Sequence, residues 1–187
     1  MILKTLLFKF FRLVFGKNYY SFLLKLLHFK KNTFKGYSLR YNINNINNII
    51  NIHNINSLLD YGCGKALEYS PNPYNKKKLE IYLFDPYFQK YKKPPIKKYE
   101  LTICTDVMEH VEEENITNVL NNIYKHTDKA VYFSIATRHA KKNLPDGRNA
   151  HVTIFPEEKW EKILRSLAPE NLIIYVQFNN YKNMYSI

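Results

Sequence analysis

The chain has 187 residues, 45% of them hydrophobic and 16% aromatic, which suits one folded domain and excludes wholesale disorder. Two cysteines, Cys63 and Cys104, exclude a disulfide scaffold and a four-cysteine zinc site, so a reduced, cytoplasmic compartment is expected. Net charge is +12 but uneven: residues 1–59 hold nine Lys/Arg and no acid, and the rest holds 19 basic and 16 acidic side chains. Such asymmetry points to an anionic partner for the N-terminal part.

Residues 1–41 read as a basic, apolar arm and 42–187 as the folded body. Lys4, Lys9, Arg12 and Lys17 interrupt the first apolar run, so it is too short to span a bilayer. Charges inside that run and the lack of a small-residue cleavage site also argue against a signal peptide. On a helical wheel Thr5, Lys9 and Arg12 share a polar sector, while Leu3, Leu6, Leu7, Phe10, Leu13 and Val14 cover the far side. Two readings fit: an interfacial helix on an anionic membrane surface through residues 1–31, or a helix that packs on its own domain or a second subunit. Residues 42–56 hold eight Asn and six Ile, with Ile43, Ile46 and Ile50 at helical spacing. Asn is a middling helix former, so tertiary packing must hold this helix.

From residue 57 strands and helices alternate. Ser57–Tyr61, Leu79–Phe84, Leu101–Thr105 and Ala130–Ile135 read as apolar strands. Glu112–His126 reads as a helix with acids at its start, and Pro156 opens another that carries Trp160, Ile163, Leu164 and Leu167. Leu172–Phe178 and Met184–Ile187 suit a terminal hairpin. The pattern predicts an α/β fold with a mostly parallel sheet flanked by helices, in which ligands bind at the C-terminal strand ends.

Three of those strand ends carry chemistry. Asp60-Tyr61-Gly62-Cys63-Gly64 closes the first strand, where glycines permit a sharp turn and close approach of a ligand. Asp85 closes the second, 25 residues on, where a carboxylate can accept hydrogen bonds from a ribose diol. Asp106-Val107-Met108-Glu109-His110-Val111 follows the third. Together they resemble the class I S-adenosylmethionine-dependent methyltransferases: Asp60–Gly64 is similar to that family's first motif, Asp85 to its ribose-binding acid, and Asp106–Val111 to its acid-x-x-Glu-His-Val segment. The resemblance covers about residues 57–178. It implies a Rossmann-like fold, S-adenosyl-L-methionine as cofactor, and Asp60, Gly62, Gly64, Asp85 and Asp106 as cofactor-binding residues. A nicotinamide or flavin site is the competing reading, but Leu67 stands where its fingerprint needs a third glycine.

The chain also departs from the family. Pro71 and Pro73 cut short the helix expected after Gly64, and only Pro86–Glu100 joins the second strand to the third. A reduced strand and helix region after Asp85 is expected. Methyl transfer needs alignment first, and a base only for a poorly ionised acceptor. His110 and His151 are the candidate catalytic residues, with His139 behind them; no His/Cys cluster has metal spacing, and no metal is expected. The function expected is methyl transfer to a small-molecule or glycan acceptor. Nucleic acid is the lesser alternative, since the excess positive charge lies on the arm, and a scaffold that has lost catalysis is the non-enzyme alternative.

Overall fold

The computed structural model describes residues 2–16, 19–30, 33–76, 78–179 and 183–187, and leaves out the side chains of residues 2–6, 9 and 12. The polar sector expected of Thr5, Lys9 and Arg12 therefore lies outside the described residues, as do Leu3 and Leu6 opposite it.

Three helices come first: α1 (Ile2–Phe15), α2 (Tyr19–Phe29) and α3 (Leu39–Ile52). On α1, Phe8, Phe11 and Phe15 pack towards α2, where Phe15 stacks on Phe22 at 4.3 Å between ring centroids. The other side of α2 lies against the body through Tyr20, Leu24 and Leu27, beside Leu144 and Ala150. The Asn-rich stretch is helical, as its Ile spacing predicts. Ile46, Ile49 and Ile50 are buried, and the asparagines are tied to the body. Asn42 Oδ1 accepts from the Tyr132 hydroxyl at 2.6 Å, Asn45 Nδ2 donates to Gln177 at 2.9 Å, and Asn47 Oδ1 accepts the Asn75 N–H at 3.1 Å. Tertiary partners thus supply what the intrinsic propensity of Asn does not.

Strands β1 (Ser57–Tyr61), β2 (Glu80–Phe84), β3 (Tyr99–Thr105), β4 (Thr127–Ile135), β5 (Ile173–Phe178) and β6 (Tyr185–Ser186) form one sheet in the order β2-β1-β3-β4-β5-β6. The first five are parallel, and β6 returns antiparallel to β5 as the expected hairpin. Alternate residues serve opposite faces. Leu58, Leu101, Ile103 and Tyr132 meet α3, whereas Leu59, Cys104, Phe133, Ile174 and Val176 meet α4 (Ile116–Lys125) and α5 (Glu157–Ser166). Ile116, Leu120 and Ile123 of α4, with Trp160 and Leu164 of α5, complete that second core. Burial on this scale, about 1.5–3 kcal/mol for each large apolar side chain, is what holds the three layers together.

The expected α/β class and its reduced region are both present. Among the described residues, the β1–β2 connection holds only a 3-10 turn at Leu67–Tyr69, and residues 85–98 between β2 and β3 hold neither helix nor strand. Proline supplies the reason: Pro71, Pro73, Pro86, Pro94 and Pro95 deny these stretches the N–H groups a helix needs. Strand β2 is consequently the edge of the sheet. Several boundaries differ from expectation by one to three residues, β3 for example starting at Tyr99 and not Leu101. The helix after Glu112 starts as a 3-10 turn at Glu113–Asn115, and β4 begins at Thr127, where the Thr127 hydroxyl donates to Thr102 at 2.7 Å and draws the strand inward.

Candidate functional site

The C-terminal ends of β1, β2 and β3 open onto a cavity of about 700 Å³. After β1 the chain turns through Gly62 (φ +88°) and Gly64 (φ +56°), which both have backbone geometry that favours glycine. The Gly62 and Cys63 N–H groups donate to the Phe84 carbonyl at 2.7 and 3.1 Å, which ties the turn to the end of β2. A Cβ on Gly62 would lie 2.4 Å from Val107, and one on Gly64 would lie 2.5 Å from the Phe34 carbonyl oxygen. The glycines are thus required by neighbouring chain as well as by the turn.

Asp85 sits at the floor, nearly buried, with its carboxylate spread over several donors. Oδ2 accepts the Gly64 N–H at 2.9 Å; Oδ1 accepts the N–H groups of Tyr87 at 2.8 Å and Phe88 at 3.0 Å. His28 Nε2 lies 3.4 Å from Oδ1. Burial pushes the Asp85 pKa up, but His28 and these backbone donors outweigh it and hold the carboxyl below its ordinary value.

Gly62, Gly64, Asp85, Asp106 and His110 line this cavity. Asp60 does not. It lies behind the glycine turn, where Oδ2 accepts the Tyr69 hydroxyl at 2.8 Å and Tyr69 meets the Tyr74 hydroxyl at 2.9 Å. Burial, with a smaller contribution from Asp85, raises its pKa from 3.8 to about 7 against the opposing Tyr69 hydrogen bond.

A second cavity, of about 840 Å³, adjoins the first and shares Phe34, Asp106 and His110 with it. His151 lines this one, together with Lys30, Arg138, Lys141 and Lys142 on its rim. His139 is exposed and lines neither. His110 ends the 3-10 turn Met108–His110, and buried Met108 anchors that turn beneath it. Its Nδ1 donates to the Ala150 carbonyl at 2.7 Å, and the Nδ1 of His151 donates to the Arg138 carbonyl at 2.5 Å. The two rings meet edge to face at 4.9 Å between centroids. Burial and the neighbouring His151 lower the His110 pKa to about 4; burial lowers that of His151 as well. Both imidazoles are neutral near pH 7, with Nδ1 as the donor and Nε2 left with an open lone pair.

Several lining residues escaped the sequence reading. Tyr20, Leu24 and His28 of α2 face the first cavity, and Phe34 to Ser38 complete its wall. The signal was present as the i, i+4, i+8 spacing of residues 20, 24 and 28, which marks one helix face. Nothing in that spacing says which strand ends the face will cover. Cys63 and Cys104 are buried free thiols, and burial pushes both pKa values up.

The first cavity fits a nucleoside-bearing ligand. Its volume lies in the usual range for small-molecule sites, about 300–1,000 Å³, and it offers an open glycine turn and a carboxylate at neighbouring strand ends. Searches of curated proteins and of solved structures each found no significant match. A family model described as a methyltransferase domain matches residues 20–167, which spans most of the chain and begins within α2. With the parallel sheet and the glycine turn after its first strand, this match shows that the chain belongs to the methyltransferase-domain family, enzymes whose methyl donor is S-adenosylmethionine.

Proposed function

We propose that the protein transfers a methyl group to a small-molecule or glycan acceptor that carries an anionic group, at a membrane surface. The observation that carries this reading is the pair of adjoining cavities that share Asp106 and His110, one at the glycine turn and one rimmed by Lys30, Arg138, Lys141 and Lys142. The donor supplies an activated sulfonium methyl group, so the protein's main task is alignment. In this reading Gly62 and Gly64 receive the methionine end, Asp85 accepts from the ribose, and Asp106 stands between donor and acceptor. Asp60 supports the turn from behind through Tyr69. His110 and His151 act on the acceptor, each with an unprotonated Nε2. The basic rim draws the acceptor's anionic group and orients it.

Residues 1–41 act as a unit in this reading. Its second part, with Tyr20, Leu24 and His28, covers the donor cavity, and its first part meets the membrane. What supports the latter is the face of α1 turned away from α2: Leu7, Phe10, Leu13 and Val14 are exposed, Leu13 to 84%. No described helix is long and apolar enough to cross a membrane, so contact would be along the surface. Calorimetry with S-adenosylhomocysteine, followed by labelled methyl transfer into an extract of anionic metabolites, tests the function. Binding plus a labelled anionic product is expected. Failure to bind S-adenosylhomocysteine refutes the reading.

A further inference from the structure

The sequence spacing around His110 carries no metal signature, but the fold brings a third and distant residue to it. One carboxylate oxygen of Glu109 and one ring nitrogen each from His110 and His151 lie within 4.8 Å of one another. Glu109 is fully buried; Oε1 accepts the Ala136 N–H at 3.1 Å, whereas Oε2 is a buried oxygen with no hydrogen-bond partner. Both imidazoles spend Nδ1–H on backbone carbonyls, so each is left with Nε2 as an acceptor. Three groups able to ligate an ion therefore converge on one spot.

Burial, and after it Asp106, push the Glu109 pKa up, so its carboxylate form is disfavoured there unless a positive charge sits beside it. A buried polar atom left unpaired is disfavoured by about 1–3 kcal/mol. Two imidazoles fixed through Nδ1–H···O=C bonds have the orientation that metal-ligating histidines take, because the second bond sets the tautomer and aims the free nitrogen. Bonds from zinc to nitrogen or oxygen are about 2.0–2.2 Å, which sets ligand atoms about 3.3–3.6 Å apart in a tetrahedral shell, so the trio must close by up to about 1.3 Å, a movement open to His151 on its half-buried loop.

We propose that Glu109, His110 and His151 bind one divalent transition-metal ion at the junction of the two cavities, where it activates a hydroxyl of the acceptor. The two-imidazole, one-carboxylate set suits zinc, cobalt, iron or manganese better than magnesium, which prefers an all-oxygen shell. Three protein ligands leave positions open towards the acceptor cavity. An acceptor hydroxyl drawn to the ion has its pKa lowered and releases its proton to solvent, which leaves a competent oxygen nucleophile near neutral pH. The acceptor class narrows to a hydroxylated anion: the hydroxyl meets the ion, and the anionic group meets Lys30, Arg138, Lys141 or Lys142. The acceptor part of this inference rests on the methyltransferase reading above; the ion site does not.

The test uses the full chain, dialysed against a chelator and titrated with Co²⁺ and, separately, Zn²⁺ and Mg²⁺. Calorimetry is expected to give one Co²⁺ or Zn²⁺ per chain, with visible Co²⁺ absorption bands and much weaker Mg²⁺ binding. His151→Ala and Glu109→Gln are each expected to weaken Co²⁺ binding at least tenfold while the far-ultraviolet circular dichroism stays that of the wild type. If Glu109→Gln does not fold, His151→Ala carries the test, because His151 is only half-buried on a loop. A wild-type chain that takes up no ion overturns the proposal, as does His151→Ala protein that binds Co²⁺ as well as the wild type. S-adenosylhomocysteine is titrated into the same samples. Its binding without any ion uptake refutes the metal site alone, and ion uptake without its binding refutes the methyltransferase reading alone.

Discussion

His28 Nε2 lies 3.4 Å from Asp85 Oδ1, which couples the helix over the cleft to the carboxylate at its floor. His28 Nδ1 donates to the Leu24 carbonyl at 2.8 Å, so Nε2 carries a proton only in the imidazolium form. Oδ1 faces the Tyr87 and Phe88 N–H groups and His28 together, whereas Oδ2 accepts from Gly64 and keeps a further lone pair. Three of those neighbours are backbone amides fixed by the turn. In the proposed reading, a ribose hydroxyl that reaches Oδ1 displaces His28, the one neighbour on a side chain.

Two variants test that displacement. His28→Phe keeps the ring that stacks on Phe34 and removes the competing nitrogen. It is expected to bind S-adenosylhomocysteine roughly threefold to tenfold more tightly by calorimetry, a gain of about 0.7–1.4 kcal/mol. Asp85→Ala is expected to bind it about 10- to 100-fold more weakly, as follows from loss of hydrogen bonds to a charged group. Weaker binding by His28→Phe would mean that His28 assists the ribose instead of yielding to it.

Asp60 makes stability depend on pH between about 4 and 7. Its pKa rises from 3.8 to about 7 on folding, so over that window the folded chain holds a proton that the unfolded chain has lost. Stability is then fully present below pH 4 and falls as pH rises through about 7. Asp85 acts with the opposite sign, but its lowered pKa confines that effect to pH below its ordinary value. Asp60→Asn keeps an acceptor for the Tyr69 hydroxyl and removes the charge. Urea unfolding of both proteins at pH 5 and pH 8 should show a change in the wild type that is more destabilising at pH 8, by on the order of 2–4 kcal/mol, than the change in the variant, which keeps the contributions of His110 and Glu109.

Gly64→Ala should destabilise the fold more than the cofactor site alone would suggest. Its Cβ would lie 2.5 Å from the Phe34 carbonyl oxygen, at φ +56°. That oxygen cannot retreat freely, because it accepts the Lys65 N–H at 2.8 Å. Backbone strain and the broken contact should together cost about 2–4 kcal/mol in urea unfolding, with the 33–38 segment loosened in hydrogen exchange. An unchanged unfolding midpoint would show that the two loops part without cost.

The membrane face of α1 predicts a mixed salt response. Full-length protein should float with anionic vesicles, and more weakly but not negligibly at high salt. Each basic side chain near the surface contributes about 1 kcal/mol that salt screens, and buried apolar side chains add a part that salt spares. Phe10→Glu combined with Leu13→Glu should abolish flotation and leave S-adenosylhomocysteine binding unchanged, since neither residue lines the cleft. Full-length protein that stays in solution would leave the α1 face without this role.

The order of strands and helices was legible in the sequence because each signal is local. Apolar strands end in Gly62, Asp85 and Asp106, helical Ile spacing marks α3, and prolines mark the region without helix after β2. The methyltransferase resemblance followed from those strand ends and needed no tertiary information. Which groups face one another was decided only by the fold. His28 reaches Asp85 across 57 positions, and His151 reaches Glu109 and His110 across some 40, through packing of α2 and of the 150–153 segment on the strand ends. Asp60 shows the same limit in reverse: its motif marks it for the cofactor, yet Tyr69 and Tyr74 close over it behind the turn. Period and spacing record which face a residue takes on its own element. They do not record which other element that face will meet, because shape and burial in the assembled core settle that.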